Sequence, residues 1–267
     1  MNGWDKRNIR YLYWEMGFAA VMAGIATFNA AFAIRLGASA GAVALLSALP
    51  ALFGMLVGIP AGRFLMTRRE RKWWFLGALA VSRLGYVLVA LIPFVVPVTP
   101  GYWVVGCLVV FGLPLAFFQA GWNGFLGDLL PASHRVRVLS RRNIIYAVGL
   151  TLVPWLCGLW LVQMPFPANY SGLYALGFLL TLGSDYFTAR LVVPLPLKTT
   201  TSVAPSSVAR LTPPLQRLLV NTFVFNLAWT LPLALFPLYF INVLKLSDAW
   251  IGAISAAIGL GVVVGYV

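Results

Sequence analysis

Residues 28–52 read FNAAFAIRLGASAGAVALLSALPAL, and residues 236–260 read FPLYFINVLKLSDAWIGAISAAIGL. At an offset of 208 (244 − 36), Phe28 falls on Phe236, Phe32 on Phe240, Leu36 on Leu244, Ser39 on Ser247, Ser47 on Ser255, Ala48 on Ala256 and Leu52 on Leu260. Val43 meets Ile251 and Leu46 meets Ile254, both conservative exchanges. Each stretch is the end of one apolar run, a short turn, and the start of another. That is the pattern of two consecutive helices crossing a bilayer. The repeat therefore predicts a bundle of membrane helices built from a duplicated unit. The chain stops at Val267, opposite Ile59, so the second copy is expected to be cut off within its second helix.

Composition sets the solvent. Hydrophobic residues make up 61% of the 267 and charged residues 9%, with a mean hydropathy of +0.90. A soluble domain carries about 25% charged residues, so lipid must cover most of this exterior. A membrane barrel needs alternating polar and apolar residues, whereas these runs stay apolar for about twenty residues at a time.

The formal charge of +13 raises nucleic acid as a partner, and the positions of the charges make that the weaker reading. Lys6, Arg7 and Arg10 precede the first run; Arg63, Arg68, Arg69, Arg71 and Lys72 lie between the second and third. Arg135, Arg137, Arg141 and Arg142 lie between the fourth and fifth, and Arg190, Lys198, Arg210 and Arg217 follow the sixth. The alternate turns hold only Arg35 and Lys245. This asymmetry predicts a cytoplasmic N-terminus in the cytoplasmic membrane, with lipid rather than nucleic acid as the surrounding partner. Cys107 and Cys157 both sit inside apolar runs and read as packing residues.

Eight spans follow: 11–34, 39–65, 73–96, 102–126, 144–162, 170–193, 218–243, and an unfinished one from Ala249. The polar, proline-containing stretch 194–217 reads as a cytoplasmic linker. The expected organisation is a six-helix half over 1–193, a linker over 194–217, and the first two helices of a second half over 218–267. Gly17, Gly24, Gly54, Gly58, Gly62, Gly149 and Gly158 are expected to let helices approach closely.

Two loops carry a family resemblance. After the second span comes Gly58-Ile-Pro-Ala-Gly62-Arg63, then Arg68-Arg69-Glu70-Arg71-Lys72. After the fourth comes Asp128-Leu-Leu-Pro131, followed by Arg135, Arg137 and Arg141-Arg142-Asn143. With six spans, a linker and a repeat of the first pair, the chain resembles bacterial members of the major facilitator superfamily. Gly62 stands where the family's loop usually has an aspartate, and the arginine often found in the fourth helix is missing. The resemblance implies an all-α polytopic membrane protein: a six-helix bundle plus the first two helices of a second. It further implies a secondary active transporter of small solutes by alternating access, with helices one, four and seven lining a central cavity. Gly58, Gly62, Arg63, Arg68, Arg69, Asp128 and Arg135 would form its conformational loop motifs.

Ionisable groups at mid-bilayer are costly, so each is a functional candidate. Arg83 and Asp185 fall inside spans three and six, and their mutual pairing is the preferred reading. Glu15 is read as facing the headgroups near Arg10. Asn29, Gln119, Asn123 and Asn226, with Trp229, are the candidates for contact with a solute, because neutral amides bond a ligand without the cost of a buried charge. The same amides serve equally as interhelical hydrogen bonds.

An integral-membrane enzyme is disfavoured. The single histidine is His134, in a basic loop, and no metal-binding or acid–base cluster recurs. No Gly-Lys-Ser/Thr nucleotide loop is present, and neither cofactor nor metal is implied. A non-transporting or truncated membrane protein is the remaining alternative. The solute and any coupling ion are left open.

Overall fold

The computed structural model describes residues 3–68, 70–130, 132–192 and 212–266, and among them the chain contains no strand. Helices α1 (Gly3–Ala26) and α2 (Asn29–Arg35) share the first span, and α3 (Ala40–Met66), α4 (Arg71–Val95), α5 (Pro100–Leu129) and α6 (Ala132–Gln163) follow. Then come α7 (Ala168–Ala189), α8 (Pro213–Leu238) with a π-helical turn at Tyr239–Val243, and α9 (Asp248–Tyr266). Among the described residues, six segments are long and apolar enough to cross a membrane: α1–α2 together, α3, α4, α5, α6 and α9. At 1.5 Å per residue α7 is roughly 33 Å long, also sufficient to span. It turns Thr181, Ser184 and Thr188 inward, where all three are buried. The protein is an all-helical membrane bundle.

Helix α1 packs on α6 and α7, α4 on α5 and α7, α3 on α5, and α9 on α6, while α8 touches α2 and α3. Two apolar cores result. One, at the end bearing the basic loops, is built on Leu12, Leu65, Phe75, Phe125 and Leu191. The other, at the opposite end, joins Phe28, Phe32, Val104, Tyr170 and Tyr174 of the first six spans to Ile251 of α9. Trp73, Trp74, Tyr102 and Trp103 are exposed at helix ends, where amphipathic rings favour the lipid–water boundary.

The offset that aligns the two copies in sequence also aligns their turns. Gly37 has φ +87° and Lys245, at 37 + 208, has φ +53°. Both lie in the left-handed region, which costs Gly37 nothing and Lys245 about 1 kcal/mol. Val43 N–H donates to Ser39 O at 3.0 Å, and Ile251 N–H to Ser247 O at 3.2 Å. Helix α3 starts at Ala40 and α9 at Asp248, again 208 apart.

Several boundaries differ from the sequence reading. The first span begins near Gly3 and breaks at Thr27–Phe28, where Thr27 and Phe28 N–H bond the carbonyls of Gly24 and Ile25 in tightened i−3 turns. The fifth span begins at Ala132 rather than Ile144, so Arg135 to Arg142 are helical and not loop. Residues 194–211 of the expected linker lie outside the described residues, and its last part, from Pro213, is already helix. Proline at N1 suits that start, because its missing N–H would have no partner there.

The glycines divide as well. Gly24, Gly149 and Gly158 do sit at close helix contacts, but a Cβ on Gly17, Gly54 or Gly58 would meet nothing within 4 Å, and on Gly62 only Ala120 O at 3.9 Å. The tightest seam is α6 against α9. Pro154 lacks the N–H that would bond Leu150 O, and a Cβ on Gly259 would lie 2.7 Å from that carbonyl. One on Gly252 would lie 2.5 Å from Pro154 O, and one on Gly158 2.7 Å from Asp248 O. Backbone approaches backbone here because no side chain intervenes.

Candidate functional site

A cavity of ≈ 200 Å³ lies among the first six spans, between α1–α2, α3, α4 and α5. Asn29 and Gln119 both line it, together with Ser82 and Tyr86, against walls that include Leu108 and Phe111. No Asp, Glu, Lys, Arg or His is among its lining residues. Asn29 opens α2 just past the break in the first span, so the break sets where its amide sits. The Tyr174 hydroxyl of α7 donates to Asn29 Oδ1, which fixes the orientation of the amide and occupies its acceptor.

The other candidates are placed elsewhere. Asn226 is exposed on α8, with Nδ2 donating to Thr222 O at 2.7 Å one turn back, and it does not line this cavity. Among the described residues, the cavity expected between the first half and the seventh helix is lined by the first half. Asn123 is exposed on α5 and lies outside the lining. The Trp229 side chain and Arg69 are outside the described residues.

At the end opposite the basic loops, three side chains from three spans meet. Arg35, the last residue of α2, places Nη2 2.9 Å and Nε 3.2 Å from Asp248 Oδ1, at the first position of α9. The Tyr170 hydroxyl of α7 donates to the same oxygen at 2.7 Å. Asp248 is buried, and its charge also favours the N-terminus of α9. This latch ties the first copy of the repeat to the second. Asn29, Phe32 and Arg35 follow one another at i, i+3 and i+6 along α2, and so share a face. Phe32 stacks on Tyr170 (ring centroids 4.6 Å apart, planes at 4°) and on Tyr174 (5.6 Å). One short helix thus carries a cavity amide, a stacked ring and a latch cation.

Intramembrane charges are paired. Arg83 Nε lies 3.8 Å from Asp185 Oδ1, close enough for attraction but too long for a hydrogen bond. Glu15, expected near the headgroups, is instead buried: Arg142 Nη2 and Nε reach its Oε2 at 2.8 and 3.3 Å. The Arg142 guanidinium also lies 5.6 Å from the centre of the Trp122 ring. Sequence reasoning missed this pair because Arg142 was assigned to a loop. The helix beginning at Ala132 carries it into the bundle.

In the loop motifs, Arg71 pairs with Asp128, joining the start of α4 to the end of α5. Arg135 Nη2 donates to Gly127 O, and Arg68 lies 4.5 Å from the Phe64 ring centre. Gly58 is half-buried and Arg63 is exposed. Gly62 cannot supply the carboxylate of the family's loop, and the ion pair present is built from Arg71 and Asp128 instead.

No curated protein and no solved structure gives a significant match to the chain. The family model of the Major Facilitator Superfamily matches residues 16–267, a span that takes in both copies of the repeat, the cavity and the latch. The chain belongs to the Major Facilitator Superfamily of membrane transporters.

Proposed function

We propose that this chain is a secondary active transporter that moves a small solute across the cytoplasmic membrane by alternating access, powered by an ion gradient or by the solute's own. Its N-terminus and basic loops face the cytoplasm. The observation that carries the reading is the latch: Arg35, Tyr170 and Asp248 fasten the two repeat copies at the end opposite the basic loops. At the other end the first turns of α8 are exposed, as are Met55, Leu56 and Ile59 of α3. A contact that ties two repeats on one side of a membrane-embedded cavity is what a closed outer gate requires, and opening it would expose the cavity to the other side.

Two measurements test this reading. In a background with Cys107 and Cys157 replaced by alanine, spin labels at Val98 and Trp250 report the latched end, and labels at Val136 and Leu218 the basic end. Alternating access predicts two distance populations at each end, long at one when short at the other. A single population at both ends would leave a non-transporting membrane protein. For orientation, an impermeant thiol reagent added outside cells should label Ala168→Cys and spare Ser202→Cys. The reverse pattern would overturn the assignment of the cytoplasmic side.

A further inference from the structure

We propose that the cavity accepts an uncharged solute, about one substituted ring in bulk, with hydrogen-bonding groups at its ends and an apolar body. The proposal rests on the transporter reading and adds to it the class of solute.

Size comes first. A cavity of about 150 Å³ holds benzene, so ≈ 200 Å³ suits one ring with short substituents. Charge decides the rest. A solute ion entering this cleft would meet no Asp, Glu, Lys, Arg or His among the described residues of its walls. The ionic groups of the bundle face one another rather than the cleft: Arg83 lies 3.8 Å from Asp185, an attraction without a hydrogen bond, and Arg142 is bonded to Glu15. An ion would therefore lose its hydration without gaining a counter-charge, a loss that far outweighs any dispersion gained from the walls. The net charge of +13 draws anions to the basic loops, but none of that charge reaches the cavity wall.

The neutral polar groups supply recognition. With Oδ1 held by Tyr174, Asn29 presents a donor to a carbonyl or hydroxyl oxygen. Gln119 presents both a donor and an acceptor. Between them, Leu46, Leu115 and Phe111 offer apolar contact to the body of the solute. Gly112 keeps the cleft open: a Cβ there would meet only Pro50 Cγ, at 4.0 Å. A larger side chain at this position therefore starts into the cleft with no Cβ clash.

Three isosteres that differ in charge test the class: 4-hydroxyphenylacetamide (neutral), 4-hydroxyphenylacetate (anionic) and tyramine (cationic). Binding to the detergent-purified protein is read by calorimetry and by the shift of the thermal midpoint. The neutral amide is expected to bind at least about tenfold more tightly than either ion. Gly112→Leu should abolish that binding while keeping the wild-type thermal midpoint, and Asn29→Leu should weaken it. Equal or tighter binding of either ion overturns the proposal. So does binding of the amide that survives Gly112→Leu, and so does failure of all three compounds to bind. If the proposal fails while the spin-label distances still show two states, the solute class alone is lost. If the distances show one state, the transporter reading falls whatever binds.

Discussion

Replacing Asp248 by asparagine is expected to shift the Val98–Trp250 distances toward the longer population by about tenfold, which corresponds to about 1.4 kcal/mol. The substitution keeps the shape and the acceptor but removes the charge. Charge-assisted hydrogen bonds are about twice as strong as neutral ones, and Asp248 Oδ1 accepts three bonds, two of them from Arg35. A fully buried pair broken on one side loses about 3–5 kcal/mol. The Arg35 side chain is 30% exposed, so water recovers part of that and the smaller figure applies. Arg35→Leu should act in the same direction, and Tyr170→Phe should do so more weakly, because it removes one bond and leaves the ion pair. High salt should shift the wild type toward the longer population but leave Asp248→Asn nearly unmoved. If Asp248→Asn gives the wild-type distances, the ion pair does not hold this end closed.

How far the fold could be read from sequence is clear at the repeat. Alignment at 208 residues placed the turn, its serine and the start of the second helix in both copies, because these depend on local chemistry. The break at Thr27–Phe28 has no such signal: neither residue is proline or glycine, and the interruption depends on neighbours that are distant in sequence. Gly24 of α1, just before the break, is wedged against Val153, where a Cβ would lie 2.6 Å from Val153 Cβ. The start of α6 was misplaced for a different reason. Arg135 to Arg142 lower local hydropathy and imitate a loop, although a helix can run past the membrane boundary with its charges in water. Arg142 is the exception that turns inward.

The latch was legible in a way that composition obscured. At offset 208 Arg35 faces Val243, and Asp248 faces Ala40. Each charge exists in one copy only, at the positions where the copies meet. A duplicated structure with a charge in one copy and its opposite in the other is joined by an asymmetric bond. Reading Arg35 merely as a turn residue leaves this unseen. Asn29 differs from its counterpart in the same way, since Pro237 stands opposite. The proline accounts for an altered helix end in the second copy, where the chain widens into the π-helical turn at Tyr239–Val243. The amide therefore belongs to the first copy alone, which is where the cavity lies.

The buried pair of Glu15 and Arg142 should have a different kind of effect, on the amount of folded protein rather than on its conformation. Glu15 is 3% exposed and Arg142 8%, and they join α1 to α6 well away from the repeat contact. Glu15→Gln leaves the guanidinium with a neutral partner in a low-dielectric interior, over the Trp122 face. A cation on an aromatic ring recovers about 1–2 kcal/mol at best, against a loss of about 3–5 kcal/mol for the unpaired charge. The expected result is a marked fall in the monodisperse fraction on size-exclusion chromatography and in the thermal midpoint. Arg142→Met alone should be comparably harmful, because it strands the carboxylate. Combining Glu15→Gln with Arg142→Met removes both charges and should restore most of the loss, since a buried ion pair contributes little over a well-packed neutral one. A double variant no better than either single one would show that the pair stabilises the bundle beyond mutual neutralisation. Single variants with wild-type yield and midpoint would show that water reaches the pair and that the α1–α6 contact depends on Gly149 against Ala20 instead.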